Sequence, residues 1–85
     1  MKLSDIQDYA IQARVASVIG DNMFDRVFAG VRFAEIDGAL LYVYSRDEES
    51  AAAIEDDFSL LIADVAGRIL RHEVELVVVL PKVLQ

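Results

Sequence analysis

Residues 31 to 44, VRFAEIDGALLYVY, set two runs of aliphatic, aromatic and β-branched residues on either side of Asp37-Gly38. That dipeptide favours the positive-φ geometry of a tight type I′ turn, so the segment reads as a β-hairpin. Long helical patterns flank it, and a further strand-like run, VELVVVL, follows from Val74 to Leu80. The order is therefore helix, helix, strand, strand, helix, strand. A three-stranded sheet with helices on one face buries such a set most simply, which makes the fold class α+β.

The first helix is expected to start at Ser4-Asp5-Ile6-Gln7, a capping box in which the Ser4 hydroxyl accepts from the Gln7 amide and the Gln7 side chain returns to Ser4. Asp5 falls in the first turn, where the helix dipole favours a carboxylate. Ile11, Val15 and Val18, with Ile19 beside them, form a core stripe. Ile6, Tyr9, Ala10, Ala13 and Ala16 widen the apolar surface beyond it. That surplus is either sandwiched inside the domain or left for a second copy or another protein.

Gly20 ends this helix, and Asp21 is a candidate cap for a short helix from about Asn22 to Phe28, with Met23, Phe24, Val27 and Phe28 on its apolar side. Ala29-Gly30 breaks it. In the first strand alternation puts Val31, Phe33 and Glu35 on one face and Arg32, Ala34 and Ile36 on the other. In the second, Leu40, Tyr42 and Tyr44 oppose Leu41 and Val43. Ser45-Arg46-Asp47-Glu48 is a second capping-box candidate, opening a long helix toward Arg71 along the stripe Ile54, Phe58, Leu61, Val65 and Ile69. Its acidic start, DEES, is expected to fray or project. Pro81 ends the last strand, and Lys82 to Gln85 read as a short tail or the start of a linker.

The 85 residues fit a single domain, 1–85, of marginal stability, and a hydrophobic share of 55% exceeds what so small a body can hide. Contact with another protein would cover the excess. Eight basic against fifteen acidic residues leave a net charge of -7, which repels phosphate backbones and anionic membrane surfaces and argues against direct nucleic-acid binding. Absent cysteines exclude disulfides and thiolate metal sites. No apolar run reaches a membrane span and no signal-peptide layout opens the chain, so a cytoplasmic location is expected.

No catalytic, cofactor or metal constellation emerges. His72 has neither cysteines nor a second histidine to complete a metal site. The carboxylates Asp47-Glu48-Glu49 and Glu55-Asp56-Asp57 are consecutive, which points neighbours about 100° apart on a helix rather than into one cleft. Gly20, Gly30, Gly38 and Gly67 lack the spacing of a phosphate-cradling loop, and Ser17 has no base near it in sequence. The chain reads as a non-enzyme.

The element order, the run Gly20-Asp21-Asn22-Met23-Phe24, the Asp37-Gly38 turn and LLYVYS entering a helix together resemble domain I, the KH-like N-terminal domain of the bacterial replication initiator DnaA. The resemblance spans about Ser4 to Val79. Phe24 matches the family's aromatic in the second helix. Val27-Phe28 replaces its usual Trp and aliphatic pair, Tyr44-Ser45 its usual Pro-Asn, and Met23 an acidic contact residue. The segment from Asp37 to Val79 is also similar to the KH-like domain of the helicase loader DciA, a family that tends to be basic. The resemblance implies a protein-interaction module that self-associates as a weak homodimer and recruits the replicative helicase or an initiation regulator. A stand-alone or phage-type regulator that mimics the domain and titrates its partners is the alternative. The expected contact residues are Tyr9 on the first helix, Asn22, Met23 and Arg26 on the second, and Ser45 and Arg46 at the strand-to-helix junction; Met23 is alternatively a core residue.

Overall fold

A computed structural model describes residues 1–82. Its elements are α1 (Asp5–Ile19), α2 (Asp21–Phe28), β1 (Arg32–Asp37), β2 (Leu40–Ser45), α3 (Glu48–Leu70) and β3 (Leu76–Pro81). The sheet order is β1-β2-β3, with β2 antiparallel to β1 and parallel to β3. The expected α+β architecture is therefore present, with helices packed on one face of a mixed sheet. Of the expected tail, residues 83–85 lie outside the described residues.

The Ser4 capping box forms as read: the Gln7 amide donates to Ser4 Oγ at 3.1 Å, and the Ser4 amide donates to Gln7 Oε1 at 2.9 Å. The second one does not. Asp47, not Ser45, caps α3, accepting from the Ser50 amide at 2.8 Å, and Ser45 instead closes β2 with its hydroxyl donating to the Asp47 carbonyl. With that cap in place the acidic start is neither frayed nor projecting, because Ser50 and Ala51 are already buried against the core. Gly20, at φ +92°, serves as the last residue beyond α1 and the first before α2, so Asp21 is helical rather than a cap.

The hairpin loop is one residue later than its sequence signal. Asp37 pairs with Leu40, leaving Gly38 and Ala39 as the loop, and of these only Gly38 has positive φ. A type I′ turn needs positive φ at both central residues; one glycine at the first position is the type II′ pattern. A bulge between Phe33 and Glu35 also breaks the strict alternation of β1. As a result Phe33 and Ile36 share the buried face, whereas uninterrupted pleating would pair Phe33 with Glu35.

The core lies between sheet and helices: Ile11 and Val15 from α1, Phe28 from α2, Phe33, Leu41 and Val43 from the hairpin, Ile54 and Ile62 from α3, and Val77 and Val79 from β3. Each such side chain contributes roughly 1.5–3 kcal/mol on burial. Phe28 stacks on Phe24 at 5.1 Å between ring centroids and meets Phe58 edge-on at 5.2 Å. Val18 departs from its expected place in the core: it is 54% exposed, on the side of α1 that faces α3 across an open groove. Ile62 and Leu3, absent from the sequence stripe, are buried instead. Leu3 arrives there because residues 1 to 3 pair with the outer edge of β1, its amide donating to the Ala34 carbonyl at 2.9 Å and the Ile36 amide to that of Met1 at 2.9 Å.

Candidate functional site

Asn22, Met23 and Arg26 stand on the exposed side of α2, opposite the buried Phe28. Met23 is 37% exposed, and its sulfur lies 3.6 Å from the Arg26 guanidinium one turn later. It is thus outside the core. Arg46 lies against the end of the same helix. Its Nη2 donates to the Arg26 carbonyl at 2.8 Å and its Nη1 points at the Ala29 and Val27 carbonyls at 3.4 and 3.5 Å.

Those carbonyls are the ones a helix C-terminus leaves without amide partners, and a cation there also complements the dipole. Arg46 is therefore a clamp on α2 in addition to a surface residue. Between Arg26 and Arg46 lies a recess of about 180 Å³, also lined by Val27, Glu49 and Ala53.

Ser45 does not belong to the surface. It is 1% exposed, at the inward-facing end of β2, and its hydroxyl is spent on the Asp47 carbonyl at 2.8 Å. The alternation of β2 buries Leu41, Val43 and then Ser45, which turns the side chain away from any partner. Tyr9 lies apart from the α2 group, on α1, where it is 63% exposed; Ile6 beside it is 81% exposed. The expected contact residues thus form two surfaces, one on α2 with Arg46 and one on α1, with Ser45 excluded from both.

The carboxylates divide by position. Asp47 is held below the usual carboxylate range, chiefly by the backbone amide of Ser50 and then by its side chain; desolvation opposes this, and Arg46 adds the least. Asp8, which was not singled out in the sequence, is the one deeply buried charge among the described residues, 2% exposed. Its Oδ1 accepts from the Phe33 amide at 2.8 Å and from Gln12 Nε2 at 3.0 Å, while its Oδ2 lies 3.5 Å from Arg32 Nη1. Asp8, Ile11 and Val15 step by three and four residues, so its place on the buried stripe was available as a signal. Its ligands show a fastening between α1 and β1.

His72 turns its Nε2 toward the Gly38 carbonyl, joining the end of α3 to the hairpin loop. Because a carbonyl only accepts, that nitrogen carries the proton in this contact. Ser17 lines the groove between α1 and α3 with no histidine among its neighbours there. Among the described residues no group of three or more His, Cys, Asp or Glu could hold a metal ion, and no helix is long and apolar enough to cross a membrane. No protein-family model matches the chain, and a search of curated proteins returns no significant match.

Proposed function

We propose that this chain is a non-catalytic, cytoplasmic protein-docking module that associates weakly with itself and recruits a replicative helicase or an initiation regulator, as its sequence resemblance to initiator domain I implies. The observation that carries the reading is the outward placement of Ile6 and Tyr9 on α1 and of Met23 on α2, each with polar groups beside it. Apolar anchors within a polar rim are what a docking surface needs. The net charge of -7 fits protein contacts better than phosphate contacts, and direct nucleic-acid binding is no part of the proposal.

The test acts on α2 without touching its clamp. The immobilised chain is expected to retain a replicative helicase or initiation regulator from bacterial lysate, identified by mass spectrometry. Met23→Ala combined with Arg26→Glu is expected to abolish that retention while the circular dichroism spectrum and melting curve stay nearly unchanged. Retention by the double variant, or capture of neither class of partner, would overturn the reading.

A further inference from the structure

A third surface, separate from α2 and from the Tyr9 side of α1, has a different character. Between α1 and α3 runs a groove of about 750 Å³ whose walls are Ala10, Ala13 and Ser17 on one helix and Leu61, Val65 and Ile69 on the other. Arg14 and Arg68 line it from opposite helices, with Asp64 as its one carboxylate. Arg68 is paired with Asp64 at 3.0 Å, while Arg14 has no ion-pair partner among the described residues. In an acidic chain this groove is therefore apolar along its walls and positive in balance.

We propose that this groove receives an amphipathic helix of a partner protein, one whose apolar ridge is flanked by carboxylates. Three observations select that occupant. The lining runs from Ala10 to Val18 on α1 and from Leu61 to Ile69 on α3, about 12 Å along each axis, which is two turns of a helix with anchors at i, i+3 or i+4, and i+7. Small side chains on the α1 wall let a third helix approach to the 8–10 Å typical of packed helices. Arg14, unpaired on the α1 wall among the described residues, favours carboxylates beside the incoming ridge and disfavours lysines.

A second copy of the chain does not meet these terms. Two-fold pairing of this surface with itself would set groove against groove, leaving the recess unfilled. The proposal does not depend on α2 or on Tyr9, neither of which lines the groove.

The experiment selects randomised helical peptides of about twelve residues by display against the full chain, then measures the enriched peptides by fluorescence anisotropy and by amide shifts in NMR. Enriched sequences are expected to carry apolar residues at i, i+3 or i+4, and i+7 with a net negative charge, and to shift the amides of Ala13, Ser17 and Val65. Arg14→Glu with Arg68→Glu is expected to weaken them at least tenfold, and Ser17→Glu, which leaves both arginines in place, to weaken them severalfold. All three positions are exposed, so circular dichroism should report an intact fold. Failure to enrich any peptide, enrichment of neutral or basic ones, shifts confined to α2 or the outer sheet face, or unchanged affinity in the variants would each overturn the proposal.

Discussion

Asp8 joins segments 25 residues apart through its bond from the Phe33 amide. A buried backbone N–H deprived of its acceptor keeps its full desolvation cost, and this one also loses a charge-assisted bond. Asp8→Ala is therefore expected to lower unfolding free energy by about 2–3 kcal/mol. Asp8→Asn, which keeps the acceptor oxygen, should lose clearly less. Urea unfolding of the two variants measures the difference, and equal stability of the alanine variant and the parent would show that the bond contributes nothing net. Arg46 shows the same economy at the surface, its guanidinium holding the last carbonyls of α2 from across the strand-to-helix junction.

Two elements depend on carboxylates at their boundaries. The N-cap of α3 is Asp47, whose carboxyl is held below the usual carboxylate range, chiefly by its hydrogen bond from the Ser50 amide. A group whose pKa is depressed by folding stabilises the fold above its unfolded value, and that contribution is lost as pH falls through the lower folded value. The parent should thus exceed Asp47→Ala in thermal midpoint by its full margin above about pH 4, a margin that shrinks on further acidification. A margin independent of pH would remove the charge from the explanation. The other element is β3, the unpaired edge of the sheet. The amides of Leu76 and Lys82 point toward β2, donating to the Ala39 and Ser45 carbonyls, so those of 77 and 79 point outward, and Pro81 presents none. The Val79 amide is in turn taken by Glu55 Oε2 at 3.3 Å. An edge so guarded resists strand addition. Replacing both guards, Glu55→Val with Pro81→Val, is expected to produce association visible by light scattering at concentrations where the parent scatters little; unchanged scattering would show that the edge is protected by other means.

At the scale of the whole molecule, the helices cover one face of the sheet and leave Leu40, Tyr42, Tyr44, Leu76, Val78 and Leu80 on the other. With the outward side chains of α1, this is where hydrophobic residues that the core does not hold are found. A chain of net charge -7 repels its own copies over most of its surface, so weak self-association needs a face without charge. On α1 the apolar face available for this holds Ile6, Tyr9 and Ala16. Tyr9→Asp is accordingly expected to lower the average mass in analytical ultracentrifugation at high concentration, toward the monomer. If both proteins sediment as monomers at every concentration, self-association through α1 is excluded.

Element order, the Ser4 capping box, the ends of α1 and α2 at glycines and the inward alternation of β2 were all determined by sequence alone, because each depends on residues within one or two turns of one another. Of the candidate surface, the exposed placement of Asn22 and Arg26 was legible in the same way, from helical spacing, whereas spacing left Tyr9 and Met23 open between core and surface. Tertiary structure decided the rest. It placed a bulge in β1, moved the hairpin loop to Gly38-Ala39 and opened a groove beside Val18. It also chose the partners of Asp8, Arg46 and Glu55, which lie 25, 20 and 24 residues away. Those outcomes turn on which distant backbone groups are left without hydrogen bonds once the sheet and helices have packed, and local periodicity carries no record of them.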